Sequence, residues 1–346
     1  MVVVALSAVG CSDQATTTTT ATTPTTGPAS SVGLPSSSSP ASTVATTSSP
    51  AGSTSTTPAV SGVAQRYDFG TPSPEEQQLW FLANRARADP AAEGRRLAEP
   101  AEQLVKDGLV AFGVDTEQLV KDFVGYPARP PLAWNAGLAA AADRHAADQA
   151  AARTQEHRGS DGSKPGGRVR AAGVAFTVLH ENISGYAHSP EFAHDEFLID
   201  WGGDPPTGVQ EWPTPGHRFA LLSAGADATS TNTVGMSWLP VEAGSDNYGP
   251  FVVVQEFARV DGIFVVGAVW ADSDGDGTFD WGEGVADVEV RVDEGQWFAV
   301  TLSGGGYELP VDSGAHTLTF RAPDGRSTEQ IVQVGADNVL VNAQLS

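Results

Sequence analysis

Apolar and polar positions change their spacing along the chain, and each change marks a different kind of segment. Val2 to Val9 is an apolar run, with small residues following it to Cys11. It is far too short to span a bilayer as a helix. From Ser12 to about Gly62 the chain is almost wholly Thr, Ser, Ala and Pro, with too little apolar surface to offset the entropy of ordering. Residues 12–65 are therefore expected to form a disordered tether. Its relaxed span is on the order of 40 Å, and about 150 Å when drawn toward polyproline geometry. Its density of Ser, Thr and Pro also suits O-glycosylation.

From Tyr67 the spacing turns helical. Ser73 reads as an N-cap, Pro74 as the first helical residue, Glu75 and Glu76 as first-turn acids, and Leu79, Trp80, Leu82 and Ala83 as the apolar face, with the helix running to Arg87. Asp89-Pro90 opens a second helix. The hexapeptide Glu-Gln-Leu-Val-Lys-Asp occurs at 102–107 and again at 117–122, as two short amphipathic helices. Asn135 to Thr154 is Ala-rich and helical, with Leu138, Ala142 and His145 on one face. Gly- and Pro-rich loops follow, then a helix at Pro190 to Ile199 and another after Pro215. Thr233 to Leu239 and Pro250 to Phe257 have strand spacing. From Gly262 onward only strands are expected, at 263–270, 288–292, 297–302, 307–311, 316–321, 329–334 and 339–345, which suggests a small β-sandwich.

Charge narrows the function. The net charge of -23 argues against nucleic acid as a partner and suits an exported protein. The only cysteine is Cys11, so no intrachain disulfide is possible. Ala8-Val9-Gly10-Cys11 resembles a lipobox, where bacterial lipoproteins are cleaved and lipidated on the cysteine. The resemblance implies a signal segment at 1–11, a lipid anchor on Cys11 with the cell membrane as partner, and an extracellular or cell-surface location.

Asp272, Asp274, Asp276, Gly277, Thr278, Asp280 and Glu283 fit a twelve-residue calcium loop at its key positions. Carboxylates stand at positions one, three, five and nine, glycine at the sharp turn, the Thr278 carbonyl at seven and a bidentate acid at twelve. The flanks are β-branched rather than helical, so a structural site is expected and not a helix–loop–helix sensor. Extracellular sites of this kind bind at about 0.1–1 mM. The segment from Val269 to Val290 resembles the calcium-binding B-type repeats of bacterial surface adhesins, over roughly residues 261–346.

The middle of the chain carries a second set of motifs: Asn84-Arg85-Ala-Arg87, Pro131-Leu-Ala-Trp134-Asn135, His157-Arg-Gly-Ser-Asp161, Glu181-Asn182-Ile183, Gly216-His217-Arg218, Val234-Gly235-Met236 and Gln255-Glu-Phe257. In this order they resemble the CAP superfamily of secreted proteins (cysteine-rich secretory, antigen 5 and pathogenesis-related proteins). The resemblance implies an α+β fold: a CAP-type α-β-α sandwich over residues 66–260, with an open cleft, followed by the all-β sandwich. It places His157, His217 and Glu181 in that cleft, with a second acid between Glu181 and His217, for which Asp200 is the loosely aligned candidate. Two imidazoles and a carboxylate would make a zinc set with one position open, and a carboxylate beside a neutral histidine could act as a base toward water.

Other readings stand beside these. His180-Glu181 lacks the second histidine of a metalloprotease helix, since Ser184 occupies its place. Ser160 has no nucleophile-elbow context. His188 and His194 are expected on the surface, and Trp134 and Trp201 in packing. The preferred function is an extracellular binding or interaction protein, its ligand a lipid or a protein. The family's lipid-binding members suggest an apolar ligand. The rival is a metal-dependent hydrolase or peptidase using His157, Glu181 and His217.

Overall fold

In the computed structural model, Ser73 caps the first long helix as its sequence requires. Its hydroxyl accepts from Glu76 N while Glu76 accepts from Ser73 N, a reciprocal capping box. The structure describes residues 64–204, 206–211, 213–224, 230–242 and 248–345. The expected lipidation residue Cys11, the signal segment and nearly all of the tether lie outside these.

A short strand β1 (Gln65–Arg66) is followed by helices α1 (Pro74–Ala88), α2 (Pro90–Ala98), α3 (Gln103–Phe112) and α4 (Thr116–Val124). Then come β2 (Ala133–Trp134), α5 (Ala136–Ala152), α6 (Pro165–Ala171), β3 (Val178–Ala187), α7 (Pro190–Ile199), α8 (Gly216–Leu222), β4 (Thr233–Pro240) and β5 (Phe251–Arg259). Among the described residues these strands form a sheet in the order β2-β4-β5-β3, antiparallel except for β2 with β4. Helices cover both of its faces. One face buries Leu138, Ala142, Ile183 and Val254 under α5. The other buries Trp80, Phe197, Leu221 and Phe257 with α1, α7 and α8.

Helix α6 and strand β3 occupy the region expected to form Gly- and Pro-rich loops. Gly166 and Gly167 weaken the helical signal of α6, and Pro165 serves as its first residue. In β3, buried Glu181, Asn182 and Ser184 break the apolar alternation that identifies a strand.

The chain continues with β6 (Phe264–Trp270), β7 (Glu289–Val292), β8 (Trp297–Val300), β9 (Gly306–Pro310), β10 (Gly314–Arg321), β11 (Ser327–Val334), β12 (Val339–Leu340) and β13 (Ala343–Gln344). One sheet runs β1-β8-β7-β10-β11. In the other, β6 is flanked by β12 and β13 on one side and β9 on the other. Their inner faces bury Val265, Val290, Tyr307, Leu318 and Phe320. Gln65, placed at the end of the tether by sequence, is in β1 and pairs with Trp297.

Polar side chains tie this β region to the helical one. Gln77 of α1 bonds Gly304 N at 2.8 Å, Asn338 donates to Pro131 O and Asn232 O, and Glu308 accepts from Trp134 N.

Candidate functional site

β3 is an edge strand, and its side chains alternate between the two faces of the sheet. Glu181 points toward α5 and α6, whereas Asn182 and Ser184 point toward α7 and α8. The candidate residues are thereby divided into two groups that straddle one strand edge.

On the first face, Asn135 caps α5 by accepting from Leu138 N at 3.0 Å. α5 ends at Arg153 in the left-handed conformation, and the returning loop brings back His157. His157 Nδ1 lies 2.8 Å from Glu181 Oε1, and Arg168 of α6 donates to Glu181 Oε2. Arg168 also donates twice to His157 O at 3.1 Å, so one guanidinium holds both members of the pair. His145, fully buried, has Nε2 at 2.9 Å from Glu156 O and 3.8 Å from Glu181. Burial alone would raise the Glu181 pKa. The hydrogen bond from His157 and the charges of His145 and Arg168 hold it below the usual carboxylate range.

On the second face, α7 closes at Asp200, whose φ is 58°. Its carboxylate takes His217 Nδ1 at 2.8 Å and His217 N at 3.2 Å. Asn182 donates to His217 O and to Gln255 Oε1, both at 3.2 Å. Burial works against a charge on His217, but Asp200 and Glu196 outweigh it and raise its pKa. Asp200, the loosely aligned sequence candidate, is thus the partner of the second histidine. Glu196, which sequence reading missed, sits one turn before Asp200 and accepts from Ser184 Oγ at 2.8 Å. Burial pushes its pKa up to about 7. Its i, i+4 spacing from Asp200 was the one signal that could have found it.

The expected trio is therefore redrawn as two histidine–carboxylate pairs, His157–Glu181 and His217–Asp200. Both histidine side chains remain partly open, at 20% and 15% exposure. A carboxylate on Nδ1 favours the Nδ1–H tautomer and orients the ring. Glu181 does not fit as a zinc ligand as arranged, because His157 and Arg168 engage both of its oxygens. On each histidine Nδ1 is held by its acid, so a metal would be met by Nε2. The sets of three or more acids and histidines whose ligand atoms lie within 4.8 Å of one another, among the described residues, are Glu93–His194–Asp195 and Asp272–Asp274–Asp276.

The first of these sets is an ion network. Glu93 binds Arg85, Arg96 and His194, and Arg96 also binds Asp195. His194, expected on the surface, is fully buried because Glu93 of α2 packs onto α7 there. His188 is exposed, and Trp134 and Trp201 are buried in packing, Trp201 between Phe112 and Phe192.

The second set belongs to the acidic loop. Asp272 accepts from Gly275 N and Gly277 N, and Asp276 accepts from Thr278 N and Oγ1. Gly275 and Gly277 have φ of 83° and 78°, which glycine adopts without strain. Glu283 reaches back to Ser273 N at 2.7 Å and Asp280 N at 3.1 Å. Ala271 N bonds Glu283 O, closing the loop at its base against β6. Burial and the neighbouring Asp276, Asp274 and Glu283 raise the Asp280 pKa, as expected where carboxylates crowd. Oxygen donors in this arrangement suit a hard cation. Phe279 of the loop packs on Phe81 of α1, with ring centroids 4.7 Å apart.

Residues 128–257 match the sequence model of the CAP family, described as the Cysteine-rich secretory protein family. The match supports a CAP domain in the middle of the chain and spans the His157, Glu181, Asp200 and His217 positions. No curated protein matches the chain. Among solved structures, the chain is similar to an extracellular protein containing an SCP domain from Bacillus anthracis str. Ames, at 17% identity and a TM-score of 0.28. That likeness covers 46% of this chain and 45% of that one, so the chain spans under half of the Bacillus anthracis protein. It is also similar to an outer surface protein from Borrelia burgdorferi, at 18% identity and a TM-score of 0.28, over 38% of this chain and 78% of that one. Among the described residues no helix is long and apolar enough to cross a membrane.

Proposed function

We propose that this is an exported surface protein, anchored by lipid on Cys11, whose CAP region binds an extracellular ligand rather than turning one over. The observation that carries this reading is the pairing of charges in the cleft. Each acid is already matched, Glu181 by Arg168 and His157, Asp200 by His217. The two nearby serines donate to acids, Ser160 to Asp148 and Ser184 to Glu196. A primed nucleophile would instead meet a histidine. The rival, a hydrolase, draws support from Glu196, which ionises near neutrality beside His217.

An apolar ligand would be taken by a groove of about 670 Å³ lined by Ala98, Pro100, Leu109, Val110 and Val114 with Glu99 and Lys106, and by none of the paired histidines and acids; its volume is within the usual size range of ligand sites. Val110 is 83% exposed, so Val110→Asp leaves the core intact while placing a charge in the groove. Saturable uptake of a fluorescent fatty acid is expected, with affinity at least about tenfold weaker in the variant. Flat titration of the wild-type chain removes the apolar ligand. Turnover of an ester probe in place of reversible uptake installs the hydrolase reading.

The acidic loop is read as a structural calcium site held by Asp272, Asp274, Asp276, the Thr278 carbonyl, Asp280 and Glu283. With a dissociation constant of about 0.1 mM, 1 mM calcium would stabilise the fold by roughly 1.4 kcal/mol. Chelation should then lower the melting temperature by a few degrees, and Asp272→Asn with Asp276→Asn should abolish the response. Identical melting curves with and without calcium refute the site.

A further inference from the structure

Behind Glu181 lies a second acid that the cleft chemistry above does not use. Glu256 on β5 stands directly across from Glu181 on β3 and from Gly235 on β4. All three lie on the face under α5. A Cβ on Gly235 would come within 2.0 Å of Ala139 N, so α5 packs closely on the sheet and closes the space over Glu256. Glu256 is fully buried, and no donor reaches either of its oxygens.

The charged groups that act on it are Glu181 from β3 and Arg168 from α6, and Glu181 is in turn met by His145 of α5 at 3.8 Å and by His157 at 2.8 Å. Arg168 is the one permanent cation among these four, and it binds Glu181. Burial biases His145 toward its neutral form. Two ionised carboxylates side by side, facing one cation and with no donor for the second, are far costlier than retaining a proton. Glu181 has the donors, so the proton resides on Glu256, with Glu181 as its acceptor.

We propose that Glu256 is the positioning residue of the cleft, a neutral carboxylic acid whose proton bridges to Glu181 and fixes it as the anion that His157 and Arg168 grip. Burial, followed by the charge of Glu181, moves the Glu256 pKa well above the ordinary carboxylate range, in keeping with this assignment. The assignment holds whether the cleft binds or catalyses, because it concerns how Glu181 is held.

Two measurements at neutral pH on the full chain test it. In difference infrared spectra, Glu256→Gln should remove a neutral carboxylic-acid carbonyl band and no carboxylate band. In proton NMR, the low-field Nδ1–H resonance of His157 should persist in Glu256→Gln, which restores a donor to Glu181. It should shift or vanish in Glu256→Leu, which does not. Loss of a carboxylate band in Glu256→Gln overturns the proposal, as does an unchanged His157 resonance in Glu256→Leu. If Glu256→Leu fails to fold, the infrared result on the isosteric glutamine decides alone.

Discussion

Glu181→Ala is expected to destabilise the protein by about 3–5 kcal/mol, the usual result of removing one partner from a buried ion pair. Arg168, its side chain 1% exposed, would lose the one carboxylate it binds. His157 would lose its anchor at the same time. Against a total stability of about 5–15 kcal/mol for a typical domain, such a loss approaches unfolding. Denaturant melts of wild type and variant measure it, and a wild-type midpoint would show that Arg168 finds another partner.

The same interaction sets a pH dependence. The Glu181 pKa is lower in the folded chain than its ordinary 4.5. Its contribution is therefore present above that value and is lost as pH falls through the folded pKa. The expected destabilisation also makes Glu181 an ambiguous probe of catalysis, since loss of any activity in the alanine variant would follow from loss of the fold.

Arg87→Ala should cost about 4 kcal/mol or more, and Arg87→Lys should not rescue it. Arg87 is fully buried at the end of α1, and among the described residues no carboxylate is one of its hydrogen-bond partners. Its donors satisfy Pro130 O, Leu221 O and Thr231 O at 2.9–3.0 Å, with the hydroxyls of Ser223 and Ser230 at 3.2 and 3.1 Å. Burial, then the charge of Arg129, brings its pKa down to about 9, so it remains a cation at neutral pH. Truncation strands three carbonyls at about 1–3 kcal/mol each and leaves a cavity. A lysine ammonium is a compact point charge and lacks the planar fork that reaches three segments at once. Because Leu221 and Ser223 end α8, the damage should reach His217 at the other end of that helix. Thermal melts by circular dichroism check both variants, and a Lys variant with wild-type melting would show that charge alone suffices.

What could be read from sequence was local. Ser73-Pro74-Glu-Glu76 fixed the start of α1 and Ser189-Pro190 that of α7, because capping bonds join residues three apart. The acidic loop was legible for the same reason, since its side chains bond to backbone two to ten residues away. The resemblance brought His157, Glu181 and His217 forward as candidates.

The tertiary structure decided the partners. Arg168 grips Glu181 across thirteen residues, Asp200 takes His217 across seventeen, and Glu93 buries His194 across a hundred and one. None of these choices has a periodic signature. A buried polar group is stable only where the fold supplies its complement, and that complement lies on another element. For the same reason β3, whose polar residues are buried between helices, looked like a loop until the sheet was seen. The alternation of that strand then placed Glu181 and Asn182 on opposite faces of one edge, and the fold matched each histidine with its own acid.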